Sequence, residues 1–262
     1  MAQKLSLSIC HLYGDLMNTY GDNGNISAIK YRCNKRNIAI KVENITLENN
    51  LEKDFDFYFF GGGQDKTQKI VSSNLRSKSK KLKESIEKGS VMLSICGGYQ
   101  LLQNYFKTKE GKIIPGIGLF DAHTEGSNDR MIQNLLIEMN PSLSQTIKSS
   151  YPTTDNRQLT TSLIGFENHS GKTYLNLGVK PLGKVISGSG NNGEDQTEGA
   201  IYKNAFGCYL HGSLLPKNPH FADYLISKAL ERRNGTVKLE PLDDSVEWQA
   251  HQSAVKRARS QA

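Results

Sequence analysis

The sequence predicts an α/β fold: a three-layer sandwich with a mainly parallel central sheet, helices on both faces and antiparallel strands inserted late in the chain. Three observations carry this. Short apolar runs alternate with longer amphipathic stretches as far as Phe106, the pattern of repeated βαβ units. Two of those runs stop at glycines, Gly61-Gly62-Gly63 and Cys96-Gly97-Gly98, as strands do where the chain turns sharply into a helix. From Gly116 onward the texture becomes short alternating runs separated by turn residues.

Taken in order, residues 5–12 alternate apolar and polar side chains as a half-buried strand does, and residues 38–45 do so again. A helix is expected between them over 24–36, behind an Asn cap. Residues 55–60 are an aromatic strand ending in the triple glycine, followed by a lysine-rich helix over 67–87. Residues 91–95 form an apolar strand, and a helix follows over 99–106. Later strands are expected at 131–139, 163–167, 174–177 and 206–210, with a helix over 219–233. No internal repeat and no long linker divides the chain. Residues 1–242 therefore read as one domain and 243–262 as a basic, flexible, exposed tail.

Composition removes several classes of function. At 262 residues, 37% hydrophobic and 23% charged, the chain can bury a sizeable core and is unlike a disordered one. No apolar run approaches the roughly 20 residues of a membrane-spanning helix. The opening residues are too polar for an export signal, which makes the cytoplasm the expected compartment. Cys10, Cys33, Cys96 and Cys208 form no CxxC pair and no Cys/His cluster, so free thiols are expected and no metal site is signalled. The net charge of +7 comes largely from Arg76, Lys78, Lys80, Lys81 and Lys83 and from Lys256, Arg257 and Arg259. Without interleaved aromatics these read as solvated or partner-docking faces, and no nucleic-acid partner is expected.

Cys96 is the centre of the chemistry. It lies where an apolar strand stops and a helix starts, in Ser94-Ile95-Cys96-Gly97-Gly98-Tyr99. A residue on such a turn is strained and exposed, and glycines must follow because side chains would strike the sheet. The helix N-terminus favours a thiolate there. The Gly97 amide is left free as half of an oxyanion hole, with Gly62 and Gly63 of the neighbouring turn as further donors. A cysteine nucleophile needs a base. His211 follows the strand-like Phe206-Gly207-Cys208-Tyr209-Leu210 at a strand end, where parallel sheets present their sites. His169 is its competitor, His11 and His123 read as core or loop, and His220 and His251 as surface.

Two motifs fail their context tests. Gly188-Ser189-Gly190-Asn191-Asn192-Gly193 matches GxGxxG, but no amphipathic helix follows it. Asp65-Lys66-Thr67 lacks the spacing of a phosphate-binding loop. No nucleotide site is expected on this chain.

A triple glycine after a strand, then Ser94-Ile95-Cys96-Gly97-Gly98-Tyr99-Gln100-Leu101-Leu102, Gly165-Phe166-Glu167-Asn168-His169-Ser170-Gly171 and Gly207-Cys208-Tyr209-Leu210-His211-Gly212, resemble in that order the cobyric-acid-synthase-like class I glutamine amidotransferases. The resemblance covers nearly the whole chain. The segments 13–25 and 188–195 narrow it to the branch that works with a Mur-ligase-like synthetase to amidate the glutamate of lipid II in peptidoglycan synthesis. It implies that Cys96 attacks glutamine, that His211 protonates the departing ammonia and then activates water, and that Arg130 clamps the substrate carboxylate. It also implies that ATP and Mg belong to the partner subunit, that this chain holds no cofactor, and that lipid II is reached through the partner at the inner face of the membrane.

One departure matters. Many relatives carry an acid two residues after the histidine, whereas here His211-Gly212-Ser213 offers only a hydroxyl. Three ways to fill the gap stay open: Glu167 approaches in space, a dyad suffices, or the partner supplies a carboxylate. Rival readings are an amidotransferase for another acceptor such as a cobyrinate-type ring, a cysteine peptidase or chaperone of the DJ-1 type, and a non-catalytic partner-binding scaffold.

Overall fold

The computed structural model describes residues 5–151 and 160–261. In chain order its elements are β1 (Ser6–Leu12), α1 (Asn23–Lys35), β2 (Ala39–Ile45), β3 (Phe57–Phe60), α2 (Asp65–Glu87), β4 (Val91–Ile95) and α3 (Gly97–Leu101). There follow β5 (Tyr105–Lys107), β6 (Ile113–Pro115), β7 (Ala122–Met139), α4 (Pro141–Ser150), β8 (Ser162–Leu175) and β9 (Gly183–Ser187). The remaining elements are β10 (Thr197–Glu198), β11 (Ala200–Tyr202), β12 (Ala205–Cys208), α5 (Pro219–Asn234) and α6 (Ser245–Arg259).

The expected parallel sheet is present in the order β11-β12-β4-β3-β1-β2, with only β11 antiparallel. Alternate residues of its strands point to opposite faces, so the sequence divides itself between two cores. Leu7, Ile9, Phe57, Phe59, Leu93 and Ile95 meet Ile29 of α1 and Phe221 and Leu225 of α5 on one side. Cys10, Leu12, Tyr58, Phe60 and Met92 meet Val71, Leu75, Leu82 and Ile86 of α2 on the other. Each fully buried side chain of this size stabilises the fold by about 1.5–3 kcal/mol relative to exposure. The parallel register aligns Leu12 with Phe60, Phe60 with Ser94 and Cys208 with Ile95. The loops after β1, β3, β4 and β12 therefore emerge at one edge of the sheet.

The inserted strands form a second sheet, β10-β9-β7-β5-β6, with β8 also paired to β7; all its pairs are antiparallel except the parallel pair β5–β7. Here the structure departs from expectation. The strands expected at 163–167 and 174–177 are one strand, β8, paired with β7 from Ala122–Leu175 to Glu138–Ser162. Its middle is polar in sequence, yet Glu167, His169 and Thr173 are buried. The helix expected over 99–106 stops at Leu101 because residues 116–119 claim its carbonyls. The Ile117 amide donates to Leu101 O at 3.1 Å and the Leu119 amide to Leu102 O at 2.7 Å.

The exposed tail expected after residue 242 is replaced by α6. Ala254 and Ala258 pack on Leu136 and Ile164, and small residues of this kind gave no apolar stripe to read. His220 and His251, expected on the surface, are buried around Trp248, with ring centroids 5.2 and 5.4 Å from it. Burial, followed by the neighbouring His251, pushes the His220 imidazole down to about 3. Arg32 of α1 adds a buried pair of bidentate bridges to Asp223 and Asp244.

Candidate active site

Cys96 stands on the turn between β4 and α3 with φ 48° and ψ −109°, a conformation that L-residues adopt only under strain. The surroundings enforce it. The Cys96 amide donates to Cys208 O at 2.8 Å, and the Gly98 amide to Gly61 O at 3.1 Å. A Cβ at Gly98 would come within 2.5 Å of Phe60 O, and one at Gly97 within 2.7 Å of Gly63 O, so neither position accepts a side chain without backbone movement. The half-buried thiol borders a cavity of about 390 Å³, which Gly63, Gln100, Arg130 and His169 also line.

His211 follows β12 at the same sheet edge. Its backbone is fastened to β8 by two hydrogen bonds, from the His211 amide to Phe166 O at 2.8 Å and from the Phe166 amide to His211 O at 3.1 Å. The imidazole Nδ1 lies 3.1 Å from Asp22 Oδ1, with both side chains fully buried. Nε2 has no hydrogen-bond partner among the described residues, although the ring interacts with the Cys96 side chain. Contacts of this kind are commonly long before substrate arrives. Burial disfavours an imidazolium here, but Cys96 and Asp22 together outweigh it and push the ring up to about 10. A protonated imidazole beside a cysteine sulfur is the form that can deliver a proton to a departing amine.

The carboxylate that reaches the imidazole is Asp22 and not Glu167, which corrects the expectation that Glu167 approaches it. Glu167 is buried, but its carboxylate oxygens accept the Ser189 and Gly190 amides at 2.6 and 2.9 Å. It holds the 188–193 loop that the GxGxxG spacing had flagged. Asp22 lay in the segment after β1 that sequence reading used only as a family marker. The available signal was a carboxylate on a loop leaving the same sheet edge as Cys96.

The glycine turn is similarly resolved. The Gly62 amide donates to Asp22 Oδ2 at 2.7 Å and is not free for an oxyanion, which corrects its assignment. Gly62 O accepts from the Thr19 amide and hydroxyl, at 3.1 and 3.0 Å. The Gly63 and Gly97 amides have no partner among the described residues, and the two glycines abut. Arg130 reaches the cavity from the irregularity in β7 between Gly126 and Met131, where a bulge re-aims side chains. Its Nε and Nη2 donate to Asn168 Oδ1 at 2.9 and 2.7 Å, and Nη2 to the Tyr20 hydroxyl at 3.2 Å. The Tyr20 ring stands edge-on to His211, with centroids 5.1 Å apart. Sequence reading gave Tyr20 no role.

Residues 8–219 match the model of the CobB/CobQ-like glutamine amidotransferase domain. The chain belongs to that family. This amidotransferase is 39% identical over 256 residues to subunit GatD of lipid II isoglutaminyl synthase (glutamine-hydrolyzing) from Staphylococcus aureus strain N315, covering 97% of each chain. It is also 39% identical to the subunit of the same name from Streptococcus pneumoniae strain ATCC BAA-255 / R6, over 91% of this chain and 86% of that one. A crystal structure of a glutamine amidotransferase superposes with a TM-score of 0.54 at 15% identity, covering 84% of this chain and 98% of the other, a likeness of fold. Among the described residues, no helix of this amidotransferase is long and apolar enough to cross a membrane.

Proposed function

We propose that this chain is the glutaminase subunit of a lipid II isoglutaminyl synthase. The observation that carries the mechanism is a strained, cavity-facing cysteine with an imidazole behind it that a buried carboxylate orients. The full-length similarity to two subunits of that name supports the acceptor.

Cys96 Sγ attacks the side-chain carbonyl carbon of glutamine while the Gly63 and Gly97 amides take the oxyanion. His211 gives its proton to the amide nitrogen as the C–N bond breaks, which leaves a thioester and free ammonia. The imidazole then takes a proton from water, hydroxide attacks the thioester, and glutamate leaves. Arg130 meets the substrate carboxylate, for which a guanidinium offers two parallel donors.

Ammonia set free in neutral water becomes ammonium and is no longer a nucleophile. The product must therefore pass directly to an acceptor activated elsewhere. That role falls to a Mur-ligase-like synthetase of the MurT type, which binds ATP and Mg and presents the glutamate carboxyl of lipid II. The exposed Lys69, Arg76 and Lys80 of α2 offer a basic face to that subunit or to its anionic substrate, whereas Lys78, expected on that face, is buried against Tyr13 and Asn74.

Co-expression with such a synthetase tests the proposal. The pair should amidate lipid II with glutamine and ATP. Cys96→Ala should abolish the glutamine-driven reaction while leaving amidation driven by ammonium chloride. A pair that amidates a different acceptor, or a Cys96→Ala pair that still uses glutamine, would overturn it.

A further inference from the structure

His169 is buried to 5% exposure and lines the cavity that Cys96 opens into, yet the reaction as proposed gives it nothing to do. Its ring is held rigidly. It stacks on Tyr209 with centroids 3.6 Å apart and planes 8° from parallel, and the Tyr209 hydroxyl is held in turn by Gln100 and Thr173 at 3.0 and 2.7 Å. Nδ1 lies 2.8 Å from Gly171 O, which can only accept, so Nδ1 carries the proton. In the neutral ring Nε2 then presents a lone pair. That atom has no hydrogen-bond partner among the described residues, and a Glu167 carboxylate oxygen lies 3.7 Å from it.

A buried acceptor backed by a carboxylate is a place for a cationic N–H donor, since an unpaired polar atom in such surroundings costs free energy until a ligand satisfies it. The other pole of the site is close by. Met131 is the register partner of His169 across the β7–β8 pair, and Arg130 is its immediate neighbour. His169 and Arg130 both line this one cavity, so it offers an acceptor and a guanidinium to the ammonium and carboxylate that an α-amino acid carries on a single carbon.

We propose that His169 Nε2 receives the α-ammonium of glutamine while Arg130 receives its α-carboxylate, so that the pair selects a free amino acid and orients its amide toward Cys96. This rests on the glutaminase reading. His169 is a positioning and specificity residue here, and it takes no part in proton transfer. Asp65 also borders the cavity, but from its exposed rim, where water competes for the same donor.

The test compares L-glutamine with glutaramate, which lacks only the α-amino group, using the full chain together with its synthetase subunit. The wild-type chain should prefer glutamine by on the order of 10²-fold or more in kcat/KM, because a site built to bond a polar group discriminates against its absence. His169→Leu should reduce that preference at least tenfold, with the loss falling mainly on KM for glutamine. His169→Gln, whose side-chain oxygen restores an acceptor, should recover most of it and keeps the test usable if the leucine variant does not fold. Asp65→Asn should leave the preference unaltered. Equal losses on both substrates would mark a structural role for His169 and overturn the proposal. Transfer of the effect to Asp65→Asn would overturn it too, as would competition by ammonium chloride that disappears in His169→Leu, since the latter marks a site for released ammonia. If the wild-type complex hydrolyses neither substrate, the glutaminase reading itself falls.

Discussion

Asp22 Oδ1 lies 3.1 Å from His211 Nδ1, and neither side chain is exposed to solvent. The second oxygen of the same carboxylate accepts the Gly62 amide at 2.7 Å. One buried group thus sets both the tautomer of the imidazole and the position of the turn that carries Gly63. Asp22→Asn keeps the shape but can present its amide where the carboxylate accepted, which favours the wrong tautomer. Glutamine hydrolysis should fall on the order of 10⁴-fold, by analogy with other histidine-orienting carboxylates. Glu167→Gln, which alters a group that does not touch His211 Nδ1, should cost far less than that in kcat. Comparable kcat losses in the two variants would remove Asp22 from the role given it here.

The Cys96 backbone is held with φ at 48°, and strain of this kind costs about 1–3 kcal/mol. Glycine adopts such angles freely. Cys96→Gly should therefore unfold at a higher temperature than Cys96→Ala, by roughly 1 kcal/mol in stability, while both are inactive on glutamine. Thermal melts of the two variants side by side are the measurement. A less stable glycine variant would mean that the turn is relaxed.

Gly98 has a backbone carbonyl where its Cβ would be, with Phe60 O at 2.5 Å and Gly61 O at 2.8 Å. Gly98→Ala must push α3 away from β3 or distort the glycine turn, and overpacking against backbone costs about 1–3 kcal/mol. Activity should drop more than stability does, because the displaced atoms belong to the Cys96 turn and to the Gly61–Gly63 segment. Denaturant unfolding and glutaminase rates measured on the same preparation separate the two effects.

Glu198 is fully buried, and that burial, reinforced by the nearby Glu167 carboxylate, pushes its carboxyl up to about 8. The folded protein therefore keeps a proton that the unfolded chain has released, from the ordinary carboxylate value of about 4.5 up to about 8. In that window the unfolded state binds fewer protons, so stability falls as pH rises. The contribution is complete below the lower limit and lost above the upper one. Glu198→Gln retains an oxygen for the Tyr209 amide, which now donates to Oε1 at 2.6 Å, and should flatten this part of the curve. Melting temperatures of both proteins between pH 5 and pH 9 will show whether the slope belongs to Glu198.

The parallel sheet, its two glycine turns, Cys96 and His211 could all be read in the sequence because each rests on local signals: apolar runs, punctuation by glycine, and residues at strand ends. Asp22 could not be read in that way. Its partners lie 189 residues away at His211 and 40 away at Gly62, and no periodicity marks it. Glu167 was one of three ways left open to supply the acid missing after His211, and its oxygens instead serve the backbone of the 188–193 loop, a long-range contact that no local signal marks. The helix α6 was missed because its contacts with the sheet come from alanines, and its Trp248 packs between two histidines, a pattern with little hydrophobic signature.

Cys10, Cys33 and Cys208 are wholly enclosed, and burial holds their thiols above the ordinary cysteine value. Cys96 alone of the four is not buried, and it borders the cavity of the site. A mild electrophile applied to the native protein should accordingly consume a single equivalent per chain. Its stoichiometry would count intact sites in a preparation, before any turnover assay is run and without engineering the other three sulfurs away.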